Sequence, residues 1–101
     1  MIKDKIKYSE EDLKNFCFRN HIKKLSFFGS VLTEKFTNKS DIDILVEFED
    51  DQTPGLLSFA RMEIELTEMI GRKVDLRTAE ELSKYFRSDV VREAQVKYEV
   101  D

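Results

Sequence analysis

Two aspartates at alternate positions of one segment are the clearest candidates for chemistry in this 101-residue sequence. Asp41 and Asp43 alternate with apolar residues in a pattern that predicts a β-strand over residues 41–48, so both carboxylates point to the same face. Two like charges side by side are unfavourable to bury unless a cation neutralises them. Carboxylate oxygens are the ligands that Mg²⁺ prefers in proteins, so the pair predicts a Mg²⁺ site on the open face of this strand.

A third carboxylate, Asp75, interrupts an otherwise apolar and basic strand predicted over residues 73–77. If the two strands lie side by side, Asp75 completes a cluster with Asp41 and Asp43. Three carboxylates across two strands are the usual equipment for two-metal phosphoryl or nucleotidyl transfer, in which one metal activates the attacking hydroxyl and the other holds the triphosphate. We therefore predict that these three aspartates are catalytic metal ligands.

A possible phosphate site precedes the aspartates, where Gly29 and Ser30 follow a short strand predicted over residues 24–28. A glycine at a strand end lets the backbone come close to a ligand, and the amides of a helical first turn together with the serine hydroxyl can hold a phosphate. Taken singly, a Gly-Ser pair is usually a turn, an Asp-x-Asp pair is usually incidental, and Asp75 could cap a strand end. The joint arrangement favours chemistry.

The rest of the pattern predicts the elements that must position these residues. Helices are expected over residues 10–21, 31–36 and 54–70, with Ser9 and Thr53 as N-caps and Gly71 as the closing residue of the third. A capping box at residues 78–81 begins a helix that carries Leu82, Tyr85 and Phe86, and a last helix over residues 90–94 leads into an extended segment at 96–98. This order predicts an α/β fold, one domain over residues 1–101 with helices packed on a sheet.

Composition limits the classes of partner and compartment. The net charge of −4 argues against a dedicated nucleic-acid-binding protein, which usually carries a basic face. Residues 1–40 nevertheless hold nine basic and five acidic side chains, and a basic region beside an acidic one suits polyphosphate and metal ions, although helix surfaces alone can produce the same split. The single cysteine, Cys17, forms no internal disulfide and fits a reducing compartment. With no signal peptide or membrane span in the sequence, we expect a cytoplasmic protein.

The spacing of the candidate residues resembles that of a known family. Phe28-Gly29-Ser30, then ten residues, then Asp41-Ile42-Asp43 resembles the G-S-x₁₀-D-x-D signature of the polymerase β-like nucleotidyltransferases. The segments over residues 40–48 and 70–76 are especially similar to the minimal nucleotidyltransferase branch. The resemblance implies a small α+β fold with a mixed sheet flanked by helices. It also implies a Mg²⁺-dependent enzyme, with two ions and with ATP as nucleotide donor, that pairs with a HEPN-type toxin. Such an enzyme acts as an antitoxin by transferring AMP to a toxin tyrosine.

Carried over residue by residue, the resemblance implies that Asp41 and Asp43 are metal ligands. Asp75 would ligate a metal and act as base toward the acceptor hydroxyl, and Gly29 and Ser30 would hold the phosphates of the nucleotide. The sequence departs from the family pattern at Thr33, where many minimal members have an arginine. Lys35 is nearby, but an ammonium group has no bidentate fork for the triphosphate.

Two other functions stay open at this point. Thr33 favours a binding module with a weak or inactive site, which would neutralise its partner by contact. Nucleotide addition to RNA or to a small molecule such as an aminoglycoside is a third class, although the sequence contains no visible acceptor domain. The sequence does not determine the acceptor, the nucleotide preference, or whether the protein forms homo- or hetero-oligomers.

Overall fold

A four-stranded mixed sheet organises the chain. The computed structural model describes residues 6–82 and 87–100. The elements are α1 (Glu10–Arg19), β1 (Ile22–Phe28), a 3₁₀ turn (Gly29–Leu32), β2 (Ile42–Phe48), α2 (Leu56–Ile70), β3 (Val74–Thr78), a second 3₁₀ turn (Ala79–Glu81), α3 (Arg87–Glu93) and β4 (Gln95–Glu99). None of the helices formed by the described residues is long and apolar enough to cross a membrane.

The sheet has the strand order β3-β2-β1-β4. β1 is antiparallel to both β2 and β4, whereas β2 and β3 are parallel. Parallel neighbours need a crossover connection, and α2 provides it. The observed fold therefore agrees with the predicted α/β class, a mixed sheet flanked by helices.

Helix α1 begins as the sequence predicts. The Ser9 side chain accepts a hydrogen bond from the Asp12 amide at 3.1 Å. Three acidic residues lie in the first turn, where their negative charges interact favourably with the helix dipole. The helix ends at Arg19, and the side-chain amide of its C-cap residue, Asn20, donates to the Phe16 carbonyl at 2.8 Å. Its inner face is buried, including Cys17, and burial raises the pKa of that thiol to about 12.

The core lies between the apolar face of the sheet and the inner faces of α1 and α2. Its fully buried side chains include Phe16, Ile22, Leu25, Phe27, Val31, Ile42, Ile44, Leu66 and Val74. Two polar side chains of α2 also protect the edge strand β3. Thr67 Oγ1 accepts a hydrogen bond from the Val74 amide at 3.0 Å, and Glu63 Oε2 accepts one from the Leu76 amide at 2.8 Å. These bonds satisfy amides that would otherwise form an open sheet edge.

The predicted helix over residues 31–36 is wrong. The structure has the short 3₁₀ turn over Gly29–Leu32, and the chain is extended at Thr33 (φ −126°, ψ 169°). The Thr33 hydroxyl donates to the Ser30 carbonyl at 2.9 Å and accepts from the Lys35 amide at 3.1 Å. A short polar side chain that bonds to the local backbone in this way competes with continued helix.

Helix α2 begins two residues later than predicted. Its N-cap is Gly55, not Thr53, and Pro54 lies outside the helix. Gly55 is extended (φ −72°, ψ 172°), and its carbonyl accepts the first helical hydrogen bond, from Phe59 at 3.0 Å. Gly71 ends the helix in the left-handed region (φ 77°), as predicted.

The capping box at Thr78 and Glu81 forms as predicted, with the Glu81 carboxylate accepting from the Thr78 amide at 3.2 Å. It opens only the second 3₁₀ turn, because Leu82 is extended (ψ 147°) and so ends the helical backbone. Of the residues assigned to that helix, Tyr85 and Phe86 lie outside the described residues. Within the described residues, the last helix, α3, covers Arg87–Glu93, so it includes residues before the predicted start at 90, and it leads into β4.

Candidate active site

The parallel register of β2 and β3 places Asp43 beside Asp75. The two residues are direct Cα partners, flanked by the pairs Ile42 with Val74 and Ile44 with Leu76. All four flanking residues are buried, whereas both aspartates are half-buried on the other face. Opposed residues on neighbouring strands point to the same side of a sheet. The sequence-based condition for a shared site, that the two strands lie side by side, is therefore met.

Asp43 is the electrostatic centre of this face. Burial raises the pKa of its carboxyl group above the ordinary value, and the negative charges of Asp75 and Asp41 raise it further, while Arg77 acts in the opposite direction. Each cause that raises the pKa disfavours the ionised form. The three aspartates therefore share one electrostatic environment, in which an added cation would relieve repulsion.

Basic side chains of the same chain neutralise the two outer aspartates. Lys73 Nζ lies 3.9 Å from Asp41 Oδ2. Arg77 holds both oxygens of Asp75, with Nε 3.1 Å from Oδ1 and Nη2 3.3 Å from Oδ2. The hydrogen bond and charge of Asp75 raise the pKa of the Arg77 guanidinium. Sequence reasoning missed both basic residues, although the two-residue spacing of Asp75 and Arg77 on one strand indicates a shared face.

Gly29 contacts the Asp43 carboxylate directly. Its φ of 76° lies in the left-handed region, and a methyl group added at its Cα would collide with Asp43 Oδ2. Phe28, the residue before it, is the Cα partner of Asp43 on the other side of β2. Ser30 follows in the same turn and is half-buried. The turn that is predicted to bind phosphate therefore starts next to the Asp43 carboxylate. A phosphate bound there would lie beside the predicted metal site.

Thr33 and Lys35 follow the phosphate turn and are both exposed. The bonds of Thr33 to Ser30 and Lys35 give it a structural role at the end of the turn. The turn itself, over residues 29–32, contains no basic residue.

The donor set fits a hard divalent cation, because carboxylate oxygens on adjacent strands repel one another until a cation lies between them. Within residues 6–82 and 87–100, however, no three acidic, histidine or cysteine side chains already converge as a metal site. In the same region, Asp41 is paired with Lys73 and Asp75 with Arg77. Metal ligation by Asp41, Asp43 and Asp75, and phosphate binding by Gly29 and Ser30, stay predictions.

Residues 10–97 match the sequence family described as the nucleotidyltransferase domain. The chain belongs to this family, and it is a nucleotidyltransferase. The sequence is 41% identical over 75 residues to a putative protein adenylyltransferase of Methanocaldococcus jannaschii, a match that covers 74% of this chain and 71% of that protein.

Solved structures narrow the family to its minimal branch. The structure of a putative minimal nucleotidyltransferase is 34% identical, with a TM-score of 0.69, and the match covers 84% of this chain and 85% of that one. A complex of a tri-AMPylated HEPN toxin with an MNT antitoxin from Shewanella oneidensis contains a chain of the same fold. That match has 22% identity and a TM-score of 0.65, covering 90% of this chain and 70% of that one. The resemblance to minimal nucleotidyltransferases is therefore confirmed.

Proposed function

We propose that this protein is a Mg²⁺-dependent protein adenylyltransferase that transfers AMP from ATP to a tyrosine hydroxyl of a HEPN-type toxin, and so acts as an antitoxin. The observation that carries the proposal is the pairing of Asp43 with Asp75 on the open face of the sheet, with Gly29 against the Asp43 carboxylate. The name of the Methanocaldococcus relative supports protein adenylylation. The Shewanella complex, an AMPylated toxin with its antitoxin, supports the class of acceptor.

Asp41, Asp43 and Asp75 would hold the magnesium, as two ions. When bound, Mg²⁺ supplies Lewis-acid stabilisation of the charge that develops on the phosphate oxygens and the leaving group. Burial and the charges of Asp75 and Asp41 raise the pKa of Asp43 and so disfavour its ionised form when no cation is bound. A bound cation relieves the repulsion between the three carboxylates, so the affinity for Mg²⁺ depends on how strongly these charges repel one another in the metal-free protein.

The side chains of the protein would position both reactants. Ser30 and the backbone of the turn at Gly29 bind the triphosphate beside Asp43. The acceptor oxygen forms its bond to the α-phosphorus as the bond to pyrophosphate breaks, and the hydroxyl proton passes to the Asp75 carboxylate. Arg77 orients this base, because its guanidinium contacts both carboxylate oxygens of Asp75. The guanidinium is itself paired with Glu81.

The second candidate is a contact module that binds nucleotide weakly and neutralises its partner without transfer. Two observations favour it: Thr33 supplies no positive charge at the end of the phosphate turn, and the cations of Lys73 and Arg77 compete with metal for the outer aspartates. In either case the protein would form a hetero-oligomer with the toxin.

The test is an AMP-transfer assay with a co-expressed HEPN-type toxin encoded beside this protein. With Mg²⁺, label from α-³²P-ATP should enter the toxin, whereas label from γ-³²P-ATP should not. Mass spectrometry should place the added AMP on a tyrosine, and substitution of that tyrosine by phenylalanine should remove the label. Chelation by EDTA is the matched control. Toxin neutralisation without transfer would instead identify the contact module.

A further inference from the structure

The loop between the phosphate turn and β2 carries Asp41, and one arginine of a distant segment anchors it. Arg72 Nη2 donates hydrogen bonds to the Thr37 carbonyl at 2.7 Å and to the Ser40 carbonyl at 2.5 Å. Its guanidinium carbon also lies 4.5 Å from the centre of the Phe36 ring. One side chain thus contacts three residues of the loop immediately before Asp41.

The loop presents these two carbonyls as one unit. The Ser40 amide donates to the Thr37 carbonyl at 3.1 Å, and the Thr37 amide donates to Ser40 Oγ at 3.0 Å. The Lys39 amide donates to Thr37 Oγ1 at 3.2 Å. Because these internal hydrogen bonds hold the turn together, the two bonds from Arg72 position the whole turn relative to β3.

The residue after Arg72 holds the other side of Asp41. The Lys73 carbonyl accepts a hydrogen bond from the Ile42 amide at 2.8 Å. Arg72 therefore binds the carbonyl before Asp41, and Lys73 binds the amide after it. Asp41 itself lies outside β2 and is exposed, so these two bonds fix a backbone position that the strand ladder does not include.

The end of α2 aims Arg72 at the loop. Gly71 closes the helix with its amide bonded to the Thr67 carbonyl at 2.8 Å, and its left-handed backbone turns the chain at that point. An arginine suits the position because its planar group donates to two carbonyls and stacks on a ring at the same time. A lysine ammonium also has donors for both carbonyls, but it has no planar group that can stack on the Phe36 ring.

We propose that Arg72 is a positioning residue for Asp41. It holds the Phe36–Ser40 turn so that the Asp41 carboxylate stays within reach of Asp43, and it acts through that turn. The proposal deepens the proposed function, since it rests on Asp41 as a metal ligand.

The test compares Arg72→Lys and Arg72→Ala with the control Arg19→Lys. Arg19 also uses a guanidinium fork, to Glu65 at 2.5 Å, but it lies on α1 away from the site. Mn²⁺ serves as the probe ion, and its binding to the protein without nucleotide is followed by electron paramagnetic resonance. Loss of a group that orients a metal ligand typically weakens metal affinity about ten- to hundredfold. We expect a loss in that range for Arg72→Ala, a smaller loss for Arg72→Lys and none for the control.

Hydrogen exchange supplies a second readout that needs neither metal nor activity. The amides of Thr37 to Ile42 should exchange faster in both Arg72 variants, while those of β1 and α1 keep their protection. In transfer assays, the Mg²⁺ concentration for half-maximal rate should rise, and kcat at saturating Mg²⁺ should fall much less.

Unchanged Mn²⁺ affinity and unchanged loop exchange in Arg72→Lys would overturn the proposal, as would a uniform loss of protection across the sheet, which indicates a general structural role. If the unmodified protein binds no Mn²⁺, the proposed function fails, and loop exchange alone decides whether Arg72 holds the turn. Arg72→Lys keeps the test informative if Arg72→Ala does not fold.

Discussion

The two faces of strand β2 differ in what they contribute. On one face Ile42, Ile44 and Val46 are buried in the core. On the other, Asp43 is half-buried, and its pKa is raised by this burial and by two neighbouring carboxylates. The apolar face stabilises the fold by burial, whereas the carboxylate face opposes it by repulsion. Burial of the apolar face therefore offsets the repulsion between the carboxylates on the opposite face of the same strand. Substitutions can change each face separately.

The largest expected effect is on the carboxylate face. Asp43→Asn removes the central ligand, and because metal stabilisation of the transition state amounts to several kcal/mol, AMP transfer should fall by at least about a hundredfold. The Mn²⁺ affinity should fall with it. A variant that transfers AMP at the normal rate would remove Asp43 from the chemistry.

The same variant should not lose stability. The pKa of Asp43 is raised in the folded protein, so its ionisation destabilises the metal-free fold fully above the folded pKa and not at all once pH falls below the unfolded value. Asp43→Asn should therefore raise the free energy of unfolding at neutral pH, and this gain should disappear as the pH is lowered through the folded pKa. Urea unfolding without metal, measured at several pH values, checks the sign.

The next effect concerns the buried face. Ile44→Ala removes a fully buried side chain next to Asp43 and should lower the free energy of unfolding by about 2–5 kcal/mol. The pairing of Asp43 with Asp75 should survive, so the protein that stays folded should keep its Mn²⁺ affinity. If metal affinity falls as steeply as stability, the two faces of β2 are not separable in this way.

Gly29 tests the contact between the turn and the carboxylate. Gly29→Ala places a methyl group against Asp43 in a left-handed backbone, and we expect it to destabilise the fold by about 1–3 kcal/mol. Nucleotide affinity should fall as well, because the turn must move away from Asp43. Gly55→Ala is the matched control, since a methyl group there meets nothing within 4 Å. Equal nucleotide affinity in both variants would contradict the phosphate role of the turn.

The smallest effect is expected at Thr33. Thr33→Arg adds a cation at the end of the turn and should raise nucleotide affinity or transfer rate about tenfold, for a charge-assisted bond of ~1.5 kcal/mol. The loss of the hydroxyl bonds to Ser30 and Lys35 acts against this gain. Lys35→Ala should lower activity if that lysine has replaced the arginine. If neither change has an effect, the turn needs no cation, and Thr33 no longer favours a contact module.

The local parts of the fold could be predicted from the sequence. The Ser9 cap, the inner face of α1, the alternation of β2 and the Gly71 stop all depend on residues a few positions apart. The failures were local competitions that a pattern does not weigh. At Thr33 a side chain bonded to the backbone and ended the turn, and at Gly55 the helix began after the proline instead of at it.

Residue spacing alone determined which side chains could act together: the parity of Asp41 and Asp43, and the Gly29-Ser30 turn at a strand end. Only the tertiary structure decided that β3 lies parallel to β2 with Asp75 in register with Asp43. It also decided that Arg77 holds Asp75, and that Arg72 reaches carbonyls 32 and 35 residues earlier in the chain. Periodicity is a property of consecutive residues, whereas register and long-range bonds depend on where the crossover helix α2 ends and how it packs on the sheet.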